Sequence, residues 1–256
     1  MLIEYFAKTM QYTIDINCDM GEGCGDDAAL MPLVSSANIA CGYHAGDANT
    51  MRRTIALAEE QGVAVGAHTS YKDRENFGRT DFELSPAEIR SLILEQLEIF
   101  AVACDEIGVK MTHVKPHGAL YNRSARDVVI AKAIAEAVRE FDPDLTLYGL
   151  AQSHSTAAAR SLGLKAADEA FADRAYEPDG SLVSRIKANA LINAPEIAAS
   201  QALRIALGGG VVAIDGSSVS LTAETICVHG DGPNAVAIGK QLHQVFIENG
   251  FEIKAA

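Results

Sequence analysis

The sequence predicts an α/β protein with a parallel sheet, and we favour a distorted, closed (β/α) barrel of about seven strands. Short runs of apolar and β-branched residues alternate with long helical segments along the 256 residues. Polar side chains also gather at the predicted strand ends, which is where parallel barrels build their sites. An open sheet fits the same alternation, so it remains the alternative architecture.

The chain is predicted to form one domain over residues 12–256, preceded by an N-terminal extension at residues 1–11. The extension contains Glu4, lacks a basic region and ends in no small-residue cleavage site, so it does not resemble a signal peptide. No internal repeat or low-complexity linker divides the remaining residues. A single barrel domain is therefore the simplest organisation.

The elements follow from the apolar periodicity and its start and stop signals. Strands are predicted over residues 12–19, 36–42, 63–70, 112–122, 145–151, 164–173 and 225–231. Helices are predicted over residues 47–61, 85–107, 125–141, 155–162, 193–208 and 233–250. Asp215-Gly216 predicts a small β-hairpin between residues 211–214 and 219–222. Residues 174–192 are predicted to form a long loop followed by a short helix.

Charge and cysteine content exclude several classes of protein. The net charge is −13 and no cluster of Lys or Arg is present, which argues against nucleic acid and anionic membranes as partners. No apolar run reaches the roughly 20 residues that span a bilayer. The five cysteines are odd in number and lack a CxxC pair, so neither a disulfide framework nor a structural zinc is expected. Reduced thiols predict a cytoplasmic protein.

The fourth predicted strand carries the strongest functional signal. Alternation along it places His113, Lys115 and His117 on one face, with Val114 and Pro116 on the other. Burying such polar groups without partners is unfavourable, so this face is expected to border a polar site. A solvated edge strand is the alternative. An unpaired ammonium at Lys115 would burden the fold, so Lys115→Met is expected to leave the melting temperature unchanged or slightly raised.

Other strands repeat this pattern of polar residues on one face. The sets that share a face are Asp15, Asn17 and Asp19 on the first strand, Gly66, His68 and Ser70 on the third, and Cys227, His229 and Asp231 on the last. His44 follows the second strand and Asp173 ends the sixth. We therefore expect one polar site at the C-terminal ends of the strands.

Common nucleotide and hydrolase motifs are absent from the sequence. Glycine-containing loops at residues 21–23 and 42–47 are compatible with anion binding, but such loops are often only turns. The chain contains no GxxxxGK[ST], GxGxxG or GxSxG pattern, so it has no recognisable ATP site, dinucleotide site or nucleophile elbow of its own.

A divalent metal is left open by the sequence. The mixed set of Asp19, His44, His68 and His117 contains the ligand types that such an ion needs. Two points oppose a metal: no HxxH or HExxH pair is present, and the charge of Lys115 would repel a cation.

Seven sequence blocks resemble the lactam-utilisation (LamB/YcsF) family. The blocks are IDINCDMGE at 14–22, NIACGYHAGD at 38–47, GAH at 66–68, FGR at 77–79, KPHGALY at 115–121, FADR at 171–174 and CVHGD at 227–231. Their order and length make the resemblance specific, and it extends from about residue 12 to the C-terminus. Two departures are Thr69, where the family pattern has Pro, and a longer N-terminus.

The resemblance implies a seven-stranded (β/α) barrel related to the polysaccharide-deacetylase and glycoside hydrolase barrels. It also implies the role of the A component in a bacterial ATP-dependent 5-oxoprolinase, working with subunits B and C. Such a complex opens the lactam of 5-oxo-L-proline to L-glutamate, with ATP as co-substrate. Because an unstrained lactam is a poor electrophile, phosphorylation of its amide oxygen makes the ring carbon open to attack. We expect the partner subunits to make the activated lactam and this chain to open it.

Residue roles are expectations within that implied reaction. Asp19 and His117 are the candidate bases for a water molecule. Lys115, Arg79 and Arg174 are expected to bind carboxylate or phosphoryl oxygens. The remaining candidates are His44, His68 and His229 for proton transfer or oxyanion stabilisation, and Asp15, Asn17, Glu22, Asp173 and Asp231 for substrate binding.

Two other classes of function remain open. The first is a metal-dependent deacetylase of amino sugars or polysaccharides, which tightly bound zinc or cobalt and turnover of N-acetyl substrates would support. The second is a non-catalytic subunit whose polar lumen only binds a ligand. A homo-oligomer is compatible with either.

Overall fold

Seven parallel strands close into a barrel in the computed structural model, which describes residues 12–256. They are β1 (Tyr12–Met20), β2 (Ser36–Ala40), β3 (Ala64–Thr69), β4 (Met111–Pro116), β5 (Thr146–Leu150), β6 (Lys165–Phe171) and β9 (Thr225–His229). Each strand pairs with the next in this order, and β9 pairs with β1 to close the ring. The predicted barrel is confirmed, while the extension at residues 1–11 lies outside the described residues.

Helices cover the outside of the barrel in the described part of the chain. They are α1 (Asp27–Leu30), α2 (Ala48–Gln61), α3 (Pro86–Ile107), α4 (Gly118–Arg126), α5 (Val128–Phe141), α6 (His154–Ser161), α7 (Pro195–Ala206) and α8 (Ala235–Glu248). The predicted capping box of Ser85 and Glu88 opens α3, because each residue bonds to the backbone N–H of the other. None of these helices is both long and apolar enough to cross a membrane.

Alternation along β1 explains how the barrel is filled. Ile14, Ile16 and Cys18 are buried on the face that packs against the helices, and Asp15 and Asn17 are buried on the inner face. Burial of one isoleucine side chain contributes roughly 1.5–3 kcal/mol, so the outer faces supply much of the hydrophobic stabilisation. The inner faces are free to carry polar groups that bond to one another.

Three local predictions are wrong or incomplete. The fourth strand ends at Pro116, and the following residues form α4, whose Leu120, Tyr121 and Ser124 lie buried on one helical face. The short helix predicted within residues 174–192 is absent, and this segment makes two isolated antiparallel bridges instead. The short helix α1, a 3₁₀ turn at Met31–Leu33 and strand β10 (Phe251–Ile253), which pairs with β1, were not predicted.

The small hairpin is confirmed at the position of the Asp-Gly turn. Strands β7 (Val211–Val212) and β8 (Ser218–Val219) pair in antiparallel register outside the barrel. The hairpin follows α7 and precedes β9, so it lies in the last long connection of the barrel.

Candidate active site

The lower part of the barrel lumen holds a carboxyl group surrounded by hydroxyls. Oδ1 of Asp15 accepts hydrogen bonds from Ser35 and Ser36 at 2.6 and 2.8 Å, and Thr225 donates to Oδ2. Burial raises the pKa of Asp15, and these hydroxyl donors oppose the shift. Asp15 therefore ties the starts of three strands together below the rest of the polar groups.

The middle of the lumen holds a buried ammonium between two carboxylates. Nζ of Lys115 lies 2.8 Å from Oδ1 of Asp19 and 2.7 Å from Oε1 of Glu169. It also donates to Oδ1 of Asn17 at 3.1 Å, and Asn38 donates to Oδ1 of Asp19 at 2.9 Å. Lys115 exposes 2% of its surface and Glu169 none. The ammonium is thus fully paired, as low dielectric surroundings require, while Oε2 of Glu169 is buried without a hydrogen-bond partner among the described residues.

The charges of Asp19 and Lys115 stabilise each other. Burial alone would lower the pKa of Lys115, but the charges of Asp19 and its other acidic neighbours together outweigh burial and hold that pKa well above its usual range. Burial would raise the pKa of Asp19, but the neighbouring side chains of His68 and Lys115 together hold that pKa well below the usual range. Burial raises the pKa of Cys227, whose Sγ lies 3.1 Å from the ammonium, so this thiol stays neutral.

Above this pair, three histidines and a glutamate converge. Nδ1 of His117 lies 2.9 Å from Nε2 of His68, and the ring of His117 stacks on that of His44 with centroids 3.9 Å apart. Nε2 of His44 lies 3.1 Å from Oε1 of Glu22. Burial lowers the pKa values of His44 and His117 and raises that of Glu22. One ligand atom from each residue lies within 4.8 Å of the others, so the four side chains could hold a metal ion.

The site mouth contains an Asp–His pair and two arginines. Nδ1 of His229 lies 2.9 Å from Asp173, which leaves Nε2 of the ring available. Asp231 accepts from Arg79 at 2.8 Å and from Arg185 at 3.2 Å, both through Oδ2. Burial alone would raise the pKa of Asp173, but its interactions with His229 and Arg185 together outweigh burial and lower that pKa. The mouth therefore combines a held imidazole with guanidinium groups.

The site residues predicted from the sequence lie in these four layers, except for Arg174. Arg174 is 5% exposed and donates to the carbonyl of Val183, so it supports the loop after β6. Sequence reasoning missed Asn38, Glu169 and Arg185. Asn38 shares a strand face with Ser36, and Glu169 shares one with the apolar Ala167 and Phe171, so strand alternation could have found both. Arg185 gave no sequence signal.

The fold and its polar lumen define a (β/α) barrel of the architecture found in carbohydrate esterases. It resembles a Family 4 carbohydrate esterase from Streptomyces lividans in complex with acetate, with a TM-score of 0.52 over 94% of this chain and 91% of that chain. An uncharacterized protein from Agrobacterium tumefaciens C58 gives 0.57 over 96% and 89%. The identities are 12% and 11%, so these likenesses concern the fold alone.

Two matches of higher similarity identify the family of this chain. The model of the LamB/YcsF family matches residues 14–256 of this chain. A lactam utilization protein from Thermus thermophilus is 40% identical, with a TM-score of 0.89 over 95% of this chain and 100% of that one. The chain belongs to the LamB/YcsF family, which confirms the family expected from the seven sequence blocks.

Proposed function

We propose that this chain is the A component of a cytoplasmic ATP-dependent 5-oxoprolinase, which opens 5-oxo-L-proline to L-glutamate together with subunits B and C. Membership of the LamB/YcsF family supports this proposal, as does the similarity to a protein described as a lactam utilization protein. In this scheme the partner subunits use ATP to phosphorylate the lactam oxygen. This chain then opens the activated ring.

The observation that carries the proposal is the arrangement of Asp19 beside His229 near the C-terminal ends of β1 and β9. The two residues are register partners on the adjacent strands β1 and β9. Oδ1 of Asp19 is held by Lys115 and Asn38, while Oδ2 faces the lumen with His68 at 3.3 Å. A held carboxylate next to a held imidazole supplies a base and an acid for one reaction.

The proposed reaction balances with two waters. Asp19 takes a proton from the first water as its oxygen bonds to the ring carbon, and His229 gives a proton to the ring nitrogen. The C–N bond then breaks as the added hydroxyl passes its proton to the nitrogen, which leaves as a free amine, and an acyl phosphate remains. A second water hydrolyses this to glutamate and phosphate. Asp19 has a low pKa and is a weak base, which suffices because phosphorylation makes the ring carbon strongly electrophilic.

Other groups in the site position these reactants. Lys115 keeps Asp19 ionised and fixes its oxygen, so it acts through Asp19. In this scheme Arg79 and Arg185, which both contact Asp231, bind the carboxylate or phosphoryl oxygens of the substrate. The cluster of Glu22, His44, His68 and His117 has the donor set of a divalent metal site, and a metal there would polarise a substrate oxygen.

The test is glutamate release by the three-subunit system, with the isolated chain as comparison. We expect neither ATP hydrolysis nor lactam opening by the isolated chain. In the complex, Asp19→Asn should lower turnover by about 10²- to 10⁴-fold while assembly is retained. Asp105→Asn, at an exposed position of α3, is the matched control and should keep wild-type turnover.

Three results would contradict the proposal. ATP-dependent glutamate formation by the isolated chain would remove the need for partner subunits. Full turnover in Asp19→Asn would exclude a catalytic role for this lumen and favour a ligand-binding subunit. Hydrolysis of N-acetyl sugars by the isolated, metal-loaded chain would favour the deacetylase alternative instead.

A further inference from the structure

Two imidazole nitrogens in the upper lumen face each other as acceptors. Nδ1 of His68 lies 2.9 Å from the carbonyl oxygen of Lys115, and Nε2 of His117 lies 2.9 Å from that of Phe77. A carbonyl can only accept, so each of these nitrogens must donate its proton. In neutral rings the other nitrogens, Nε2 of His68 and Nδ1 of His117, are then bare lone pairs. They lie 2.9 Å apart.

Two lone pairs at this separation repel each other unless a positive species joins them. One extra proton shared between the two nitrogens could do so. A metal ion is the other solution. Nitrogens that bind one zinc ion at about 2.0–2.1 Å lie roughly 2.9–3.4 Å apart, so the observed spacing requires little movement of the rings.

A carboxylate oxygen points to the same position. Oε1 of Glu22 lies 3.6 Å from Nδ1 of His117 and 3.9 Å from Nε2 of His68. We propose that Glu22, His68 and His117 bind a divalent transition-metal ion such as zinc. Two histidines and one glutamate, with the fourth position open, form a donor set that zinc uses in catalytic sites.

His44 supports this site without being a ligand. Its ring is parallel to that of His117 within 11°, with the centroids 3.9 Å apart. An ion in the plane of one ring therefore lies out of the plane of the other, and imidazoles bind metals in the ring plane. Nε2 of His44 instead donates to Oε1 of Glu22 at 3.1 Å and orients the carboxylate. The carbonyl partners of His68 and His117 are the supporting acceptors that metal-binding histidines normally have.

The nearby ammonium does not prevent cation binding. Lys115 contacts the carboxylates of both Asp19 and Glu169, so its charge is more than balanced within the lumen. The set differs from the one expected from sequence, because Glu22 replaces Asp19 and His44 is not a ligand. The metal site does not rest on the proposed lactam reaction, because the ligand geometry is independent of the substrate.

The test measures metal binding by the isolated full-length chain. The protein is stripped with a chelator, titrated with Zn²⁺ and passed through gel filtration, and the zinc per chain is counted. Co²⁺ serves as a second probe, because its visible absorption reports a low-coordinate nitrogen and oxygen site. We expect one ion per chain. A thermal melt of each metal-free variant checks that it is folded.

Four variants distinguish the ligand set. Glu22→Gln and His117→Gln should each weaken zinc binding by more than the roughly 10- to 100-fold that loss of a supporting bond costs. His44→Gln should weaken it by about 10-fold or less, because the amide can still donate to Glu22. His229→Gln is the control for the second possible group of Asp19, Cys227 and His229, and it should bind zinc like the wild type.

Several outcomes would overturn the proposal. A folded wild-type chain that retains no stoichiometric zinc would mean that a shared proton joins His68 and His117. Loss of zinc in His229→Gln with retention in Glu22→Gln would place the ion in the other group. Equal loss in His44→Gln and His117→Gln would overturn the three-ligand assignment. If His117→Gln does not fold, Glu22→Gln decides, because Glu22 lies in a loop after β1.

Discussion

The ammonium of Lys115 lies 2.7 Å from the carboxylate of Glu169 inside the barrel, and both side chains are almost completely buried. Asp19 contacts the same ammonium, so two carboxylates share one cation. The expectation of an unpaired ammonium at Lys115 is therefore wrong. Removing one partner of a buried ion pair leaves the other charges buried without a counter-charge, which lowers the stability of the fold.

Lys115→Met is predicted to destabilise the fold. The substitution keeps much of the apolar stem but leaves the buried carboxylates of Asp19 and Glu169 without their cation. Breaking buried pairs in this way costs about 3–5 kcal/mol, which replaces the expectation of an unchanged melting temperature. Urea unfolding of the isolated chain measures the free energy of unfolding.

Lys165→Met is the matched control for this prediction. Lys165 is exposed at the start of β6, so its replacement should change the free energy of unfolding by less than roughly 0.5 kcal/mol. Equal stability of the two variants would show that the Lys115 pair contributes little to the fold.

Gly66→Ala is predicted to strain the packing of β3 against β4. A Cβ atom on Gly66 would lie 2.2 Å from Nε2 of His113. That ring cannot move freely, because it bonds to Asn38 at 2.9 Å and stacks on Tyr148 with centroids 4.4 Å apart. Overpacking of this kind costs about 1–3 kcal/mol, which urea unfolding measures.

Gly232→Ala provides the comparison for the Gly66 variant. The nearest atom to its added Cβ, the carbonyl oxygen of His229, is 3.8 Å away, which is an ordinary contact. We expect little loss of stability there. A Gly66→Ala chain as stable as the Gly232→Ala chain would mean that the His113 ring has room to shift.

Strand alternation explains why so much of the site could be predicted from sequence. Successive side chains on a strand point to opposite faces, so His113 and Lys115 had to share the lumen once β4 was recognised. The same rule placed Asp15, Asn17 and Asp19 together. One face of a barrel strand borders the lumen and the other packs against helices. Polar residues that alternate with apolar ones can therefore be recognised within the sequence of a single strand.

The pairing between strands could not be predicted in the same way. The contact of Lys115 with Glu169 crosses from β4 to β6 and depends on barrel closure and strand register, which a local pattern does not contain. Arg185 reaches Asp231 from an irregular loop between β6 and α7, where no periodicity exists. The start of α4 was missed because residues 112–117 alternate and the prediction extended that alternation past Pro116.

His113 is predicted to make stability depend on pH. Burial, followed by the charge of Lys115, lowers its pKa from 6.5 to about 3. Between these two values the unfolded chain binds a proton that the folded chain does not, so stability falls as the pH falls below 6.5. His113→Gln removes this contribution.

The measurement compares free energies of unfolding at pH 7 and pH 5. The loss of stability on acidification should be smaller in His113→Gln than in the wild type, by about 1.4 kcal/mol for each pH unit below 6.5. Above pH 7 the difference between the two proteins should no longer change with pH. Parallel pH profiles down to pH 5 would show that His113 is charged in the folded protein.

Arg185 is predicted to contribute to substrate binding at the mouth. Arg79 and Arg185 both contact Oδ2 of Asp231, so two guanidinium groups share one carboxylate and leave positive charge for an anion. Hydrogen bonds to charged groups contribute about 1.5–3 kcal/mol, and solvent screening at this partly exposed position favours the lower value. Arg185→Gln should therefore raise KM for 5-oxoproline in the three-subunit system about 10-fold.

The division between KM and kcat tests whether Arg185 binds or catalyses. A side chain that holds the substrate equally in the ground state and the transition state changes KM and leaves kcat within about 3-fold. The effect should shrink as ionic strength rises, since salt screens exposed charges. Arg53→Gln, on the exposed face of α2, carries the same loss of charge far from any contact with Asp231 and should leave KM unchanged. An equal rise in KM for both variants would assign the effect to net charge, and an unchanged KM in Arg185→Gln would remove Arg185 from the binding site.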